Sequence, residues 1–400
     1  MPGGVGDYCA RLLHAIGARQ NSALEIVVLT MRNGALTMLD SASPLAQFGD
    51  MPDWGWGIWR PVRAALRSWK PDVLHIQYQT GAYAMHPAIN LLPALLRHIG
   101  PRPALVVTAH DLLLPYLAPK ASWLREWVTY RLMADSDALV VTNSDDLQRV
   151  RGGAGAAVMS ATAGLPVYQA RRKLPGHVHV HMIPIGTNIE AVMLAGYTRA
   201  AWRQQLGCDS ETLLLAFFGL ISHSKGLDIV LDALEQLPAH VRLILIGGEA
   251  AAPQDQAYAE KLRMRIQSSP LQQRVYITGH CSAEDVSAHL LAADLAVLPF
   301  KDGASFRRGS LLAALAHGLP TITTQPRSIP ELRPQLIDDQ NVVLVPINNA
   351  AALASAISGL ALEPARRMRL AEGARQLAAY FSWHDIAEQH IHVYRQLTNK

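Results

Sequence analysis

Short, almost purely apolar runs alternate along the chain with longer segments in which apolar residues recur every three or four positions. Leu24–Thr30, Val73–Tyr78, Ala104–Ala109, Ala138–Asn143 and Val178–Ile183 form a first series of such runs. Leu213–Gly219, Val241–Gly247, Val275–Gly279, Leu295–Phe300, Thr321–Thr324 and Val342–Pro346 form a second. Most lack the in-out alternation of a half-exposed strand, so they read as strands covered on both faces of a parallel sheet. Helical patterns at Pro87–His98, Leu227–Leu237, Ala283–Ala292 and Leu311–His317 fall between them. Strand–helix–strand repetition predicts an α/β fold of two Rossmann-like, doubly wound domains. A turn-rich, more polar stretch over 184–212 reads as the linker, and 349–398 as helical with breaks at Pro364 and Ser382-Trp383. The expected divisions are 1–190, 191–380 and a closing helical segment at 381–400.

The start departs from this pattern. Gly3-Gly4-Val5-Gly6 opens the chain with no apolar run before it. A doubly wound domain normally feeds its first glycine turn from a strand, so the true start is expected to lie upstream, the alternative being a first domain that lacks its central strand. Composition then narrows the class. With 400 residues, 50% apolar and 17% charged, the chain can bury large cores. No run approaches the ~18 apolar residues of a membrane-spanning helix, and no secretory leader is visible. The three cysteines are far apart and form no CxxC, which fits the cytoplasm and argues against disulfides or structural zinc. The formal charge of +4 lies in the first half of the chain, and 196–400 is balanced. That is too little for nucleic-acid binding, but it suits weak attraction to an anionic surface.

Four segments carry candidate chemistry. Gly3 and Gly4 precede an amphipathic helix running to about Ile16, where backbone N–H groups could approach a phosphate. It is not a Walker A loop, since no Gly-Lys-Ser/Thr follows. His110 and Asp111 end a buried-type strand, where ligands of open α/β sheets bind. Ser222 and Lys225 lie in the first strand-to-helix turn of the second domain, where a lysine can hold a phosphate as a point charge. Arg307, Arg308, Gly309 and Ser310 sit at the entry to another helix. Cations there oppose the helix dipole, and a bound anion would remove the conflict. Weaker features are read as structural. His177, His179 and His181 form a polar strand face, and Asp135-Ser136-Asp137 forms a turn. Trp54, Trp56 and Trp59 with Arg60, Arg63, Arg67 and Lys70 are a helix packed on the sheet, with contact to a membrane surface as the alternative.

Taken together, Gly3-Gly4-Val5-Gly6, Thr108-Ala109-His110-Asp111, Ile183-Pro184-Ile185-Gly186, Gly219 with Lys225-Gly226, and Ala314-Leu315-Ala316-His317-Gly318-Leu319-Pro320 resemble glycosyltransferase family 4. That resemblance implies the GT-B fold, two domains facing across a cleft, with a last helix crossing back to the first. It implies a nucleotide-sugar donor held mostly by the second domain and a glycan or lipid-linked acceptor on the first. By position, Gly4 would approach the diphosphate or sugar, His110 the transferred sugar, and Lys225 the diphosphate. The sequence departs from the family at Leu220, where an arginine is usual, and at Ser305 and Ala313, where two glutamates are usual. Arg307 and Arg308 are candidates to replace the charge lost at Leu220, and Asp302 is the nearest carboxylate to the first vacant slot.

The implied reaction is sugar transfer to a hydroxyl, with retention and without a metal. The nucleotide-sugar is a substrate, so no cofactor is expected. The lack of a carboxylate pair fits a transferase better than a glycosidase. The implied setting is polysaccharide or glycolipid synthesis in the cytoplasm, with peripheral contact at the membrane's inner face. Two alternatives are an inactive binding or scaffold protein on the same fold, motivated by Leu220, Ser305 and Ala313, and a GT-B sugar-nucleotide epimerase.

Overall fold

The computed structural model describes residues 4–19, 24–31, 45–51, 53–98, 102–112, 122–152, 172–248, 253–327 and 334–398. It divides into two compact units, Met1–Ile185 with Trp383–Lys400, and Gly186–Ser382. Both are parallel-sheet α/β domains, as the run pattern predicts.

In the first unit the chain forms α1 (Gly4–Gly17), β1 (Ile26–Met31), β2 (Leu45–Met51), α2 (Trp59–Trp69), β3 (Val73–Tyr78), α3 (Ala88–Arg97), β4 (Ala104–Ala109), α4 (Ser122–Ala134), β5 (Ala138–Val141), α5 (Ser144–Arg151) and β6 (His179–Met182). Strands β3-β4-β5-β6 make a parallel sheet in that order, and β1 pairs with β2 in a separate two-stranded sheet. Strand β2 escaped the pattern search because Leu-Ala-Gln-Phe-Gly-Asp-Met has no β-branched run. On one face of the larger sheet, Ile76, Tyr78, Leu105 and Val107 pack with Ile89, Leu92 and Leu96 of α3. All of β5 is buried.

In the second unit the elements are α6 (Arg199–Gln205), β7 (Leu213–Phe218), α7 (Leu227–Glu235), β8 (Val241–Ile246), α8 (Pro253–Gln267), β9 (Val275–Gly279), α9 (Ala283–Ala292), β10 (Leu295–Leu298), α10 (Gly309–Ala316), β11 (Thr321–Thr324), β12 (Val343–Val345), α11 (Ala350–Leu362) and α12 (Pro364–Ala378). The six strands are parallel in the order β12-β11-β10-β7-β8-β9. The chain thus runs outward from β7 to β9, returns to β10 on the other side, and runs outward again. Between β7 and β10 the connections leave in opposite directions, which opens a crevice at the carboxyl ends of those two strands.

The linker expectation needs one correction. Residues 199–205 within it fold as α6, capped by Thr198, whose hydroxyl accepts from the Ala201 N–H. The helix is too short and polar to announce itself by periodicity. It is held by Arg203, a buried guanidinium 2.9 Å from Asp294 and bonded to the Ala292 and Thr212 carbonyls.

The chain ends in α13 (Trp383–Thr398), which belongs to the first unit. Its Ile386, Ala387 and Ile391 pack with Tyr8, Leu12 and Ile16 of α1 against Val106 and Val140 of the sheet. The first unit's sheet is therefore covered on both faces, and one cover is assembled from opposite ends of the sequence. Among the described residues no helix is long and apolar enough to cross a membrane.

Candidate functional site

The crevice of the second unit collects the cationic candidates. β7 ends at Phe218, and the chain turns at Gly219, whose φ of +122° is closed to residues with a side chain. The Lys225 side chain folds back over this glycine, so that a Cβ there would lie 1.8 Å from Nζ. Gly226 (φ +72°) then starts α7 with its Cα against the carbonyl oxygen of Pro299, just beyond β10. Lys225 is thereby held half-buried at the switch point. Its ammonium has no hydrogen-bond or ion-pair partner among the described residues. Burial, aided by repulsion from Arg308, pushes its pKa down to about 8. Ser222 stands beside it, its hydroxyl 3.4 Å from that of Ser224.

After β10 the chain reaches α10, which starts at Gly309, two residues earlier than the apolar pattern indicated. Gly309 and Ser310 therefore lie inside its first turn. The Ser310 hydroxyl is buried and has no hydrogen-bond partner among the described residues. Arg308 is the cap residue, but its charge is not left to oppose the dipole alone: its guanidinium pairs with Asp302 and lies 5.0 Å from the Phe300 ring centroid. That corrects the expectation of two uncompensated arginines. Asp302 answers one of them, while its other carboxylate oxygen is buried without a partner. Arg307 is exposed in the same turn. Leu220, at the position where the family carries an arginine, is 51% exposed, so its side chain is open to solvent over half its surface. Ala313 lies fully buried in α10, so its slot is core.

The first unit presents a different arrangement. His110 follows β4, and its backbone N–H donates to the Tyr78 carbonyl. Its Nε2 is 2.9 Å from Gln77 Oε1, and its ring meets that of Tyr8 edge-on at 4.5 Å. Burial pushes its pKa down to about 4. Asp111 turns away from it: the buried carboxylate accepts from the Thr80 hydroxyl and backbone N–H. Gly4 is the first residue of α1 rather than part of a turn before it, and Gly3 lies outside the described residues. The helix starts early because Tyr8, Leu12 and Ile16, four apart, form one buried stripe, and Asp7 suits its positive end.

Around His110 lies a group that sequence reasoning did not find. His75 Nδ1 is 2.7 Å from the Tyr394 hydroxyl, and its Nε2 is 2.8 Å from that of Thr108. Tyr8 bonds His390 Nε2 at 2.9 Å. Burial lowers the pKa of His75 well below the usual value and that of His390 to about 3. The one local signal was in β3, where His75 and Gln77 alternate with buried Ile76 and Tyr78. Tyr394 and His390 come from more than 300 residues away.

The weaker features behave as structure. Asp137 makes a two-pronged pair with Arg102 and accepts from the Leu105 N–H. Trp54 packs on Tyr83, and Trp59 donates to the Ala88 carbonyl, while Trp56 is 52% exposed. Among the described residues, no group of three His, Cys, Asp or Glu is placed to hold a metal ion.

Comparison with known proteins bears on both units. The family described as glycosyl transferase 4-like domain matches residues 3–159, and the one described as glycosyl transferases group 1 matches 212–363. The chain is 30% identical over 227 residues to a D-inositol 3-phosphate glycosyltransferase of Xylanimonas cellulosilytica, covering 55% of this chain and 52% of that one. It is 31% identical over 156 residues to a mannosylfructose-phosphate synthase of Agrobacterium fabrum, covering 36% and 32%. The chain thus spans about half the length, or less, of these curated relatives. Its fold is similar to that of Anabaena HepE in complex with UDP (TM-score 0.72, 20% identity, 99% of this chain and 97% of that one). It is also similar to sucrose-phosphate synthase from Thermosynechococcus elongatus (TM-score 0.69, 20% identity, 99% and 94%).

Proposed function

The chain belongs to the glycosyltransferases of the GT-B, family 4 type, and from that membership we propose that it moves a sugar from a nucleotide-sugar donor to a hydroxyl acceptor. The observation that carries the reading is Lys225, a half-buried ammonium with no counter-ion among the described residues, at the switch point between β7 and β10. A cation kept in that state is a binding site for an anion. The α10 N-terminus and the unpaired Ser310 hydroxyl add donors on the β10 side. The solved structure of HepE with UDP supports a nucleoside diphosphate as that anion.

In the proposed reaction the bond between the sugar's anomeric carbon and the diphosphate oxygen breaks, and its electron pair stays on the phosphate. Lys225, with Arg307, Arg308 and Ser222, stabilises the charge that grows there. Gly309 and the first turn of α10 contribute backbone N–H groups. The acceptor hydroxyl bonds to the anomeric carbon and gives its proton to the departing phosphate oxygen. That route delivers the acceptor on the leaving-group face, so the configuration is retained, and it assigns no step to a metal. His110 is the group that meets the sugar, and Asp111 holds the adjoining turn through Thr80. Gly4, the first residue of α1, and Gly3, its neighbour in sequence, are the proposed contacts to donor or sugar. A lipid-linked acceptor, with membrane contact through exposed Trp56 and the basic residues of α2, is the finer form of the proposal.

The test is calorimetry of the whole chain with a panel of nucleoside diphosphates, followed by a mass-spectrometric donor screen. At least one diphosphate is expected to bind, and Lys225→Ala to weaken it at least about ten-fold, in line with losing a charge-assisted contact. Failure of every diphosphate to bind would overturn the reading and favour a scaffold.

A further inference from the structure

We propose that Gln77 fixes His110 as the neutral tautomer with hydrogen on Nε2, so that the Nδ1 lone pair meets the ligand as an acceptor. The inference rests on the reading of His110 as a substrate-facing group. An amide oxygen can only accept, so a 2.9 Å contact between Gln77 Oε1 and His110 Nε2 requires the proton on Nε2. What matters is which end of the amide faces His110.

The other end settles it. The Gln77 amide nitrogen lies 3.5 Å and 3.3 Å from the two nitrogens of the His75 ring. Both ring nitrogens already have nearer partners, the Tyr394 and Thr108 hydroxyls. A group almost equidistant from both nitrogens faces the ring itself. An N–H is attracted to that electron-rich surface and a carbonyl oxygen is repelled. The amide therefore turns its nitrogen to His75 and its oxygen to His110. His75 is clamped in turn by β4 through Thr108 and by α13 through Tyr394. A chain of contacts thus runs from the last helix, through His75 and Gln77, to His110.

Among the described residues, nothing packed around His110 favours its charged form. From α1 it meets the Tyr8 ring, from β3 Gln77 and His75, and from α13 His390, which like His75 is held neutral by burial. The carboxylate of its chain neighbour Asp111 is bonded to Thr80. The imidazole is thus tuned to receive a hydroxyl hydrogen. Gln77 acts through His110 and is a positioning residue.

Nuclear magnetic resonance of the whole chain with 15N-labelled histidine reads the tautomer directly. In the native protein, His110 is expected to carry hydrogen on Nε2 and to stay neutral from pH 8 to pH 5. Gln77→Glu, of the same size, places a carboxylate on that hydrogen. It should raise the His110 midpoint by at least about one pH unit and carry the acidic limb of kcat upward with it. Gln77→Met removes the acceptor without a charge and should yield a mixture of tautomers. Hydrogen on Nδ1 in the native protein overturns the proposal, and so does an unchanged tautomer in Gln77→Met. A moved midpoint with an unmoved pH–rate profile upholds the role of Gln77 and overturns instead the reading of His110 as substrate-facing.

Discussion

The two candidate sites sit at the same place in their domains, the carboxyl ends of parallel strands, and they are electrostatic opposites. In the first unit every titratable ring near His110 is buried and held neutral, with hydrogen bonds linking Tyr8 to His390, His75 to Tyr394 and Thr108, and Gln77 to His110. In the second, Lys225 is held beside Arg308 and has no hydrogen-bond or ion-pair partner among the described residues. The first arrangement is neutral, and it leaves the His390 Nδ1 buried without a hydrogen-bond partner among the described residues. The second has an outstanding positive charge. A site of the first kind orients neutral groups, whereas a site of the second kind gains stability when an anion arrives. That is why we propose the diphosphate for the second unit and the more neutral sugar chemistry for His110.

Acid should break the comparison most sharply. His75, His110 and His390 have lowered folded-state pKa values, so below the unfolded value of about 6.5 the unfolded chain takes up protons that the folded unit refuses. Stability is therefore fully present above about pH 6.5 and lost as pH falls toward about 4. Each neutral histidine contributes about 1.4 kcal/mol per pH unit, so three give a slope of up to about 4 kcal/mol per pH unit in the first unit. His289 and His317 of the second unit are lowered in the same sense but less strongly, so its slope should be smaller. Hydrogen exchange resolved by residue checks this. Equal loss of protection in both units across pH 6.5 to 5 would remove the contrast.

How much of this could be read in advance follows from how local each feature is. The strands were legible because each is a contiguous apolar run, and Lys225 and Arg308 because a strand-to-helix turn is a sequence-local object. Asp302 lies six residues before Arg308, yet its pairing needs the fold of the turn and could not be read from spacing alone. The neutral cluster was illegible because its parts come from α1, β3, β4 and α13, and no periodicity joins His75 to Tyr394. Short α6 was missed since its anchor is an arginine, a residue that pattern reading assigns to the surface. Strand β2 was missed because a mixed sequence can pair when a neighbouring strand supplies the hydrogen bonds.

Lys225→Met is the next largest expected effect, and its value lies in moving activity and stability apart. Turnover should fall about 100- to 1,000-fold, the usual cost of removing one donor aimed at developing charge. Stability without ligand should not fall. A lysine whose pKa drops from about 10.4 to about 8 on folding is a liability below pH 8, worth at most about 3 kcal/mol. Methionine keeps the alkyl stem and removes that liability. Thermal denaturation at pH 7 should therefore show an equal or higher midpoint. A variant that loses both activity and stability would mean that Lys225 is a structural group with a partner, and the electrostatic contrast between the units would go with it.

The smallest expected effect tests where the anion lies. Leu220 follows Gly219 directly and is 51% exposed, so its side chain can be exchanged for a cation at little cost to the fold. In Leu220→Arg the new guanidinium would stand at the mouth of the crevice, where it meets solvent, and an exposed pair is worth no more than about 1 kcal/mol. Affinity for inorganic pyrophosphate should rise about three- to five-fold, and the gain should shrink with added salt, since exposed charges are screened. The same change also pushes on Lys225, so without ligand its pKa should fall further below about 8. Both shifts share one cause, a third cation beside Lys225 and Arg308, and they should shrink together as salt is added. Unchanged pyrophosphate affinity in Leu220→Arg would place the anion away from the Gly219 turn and leave α10 as the surviving candidate.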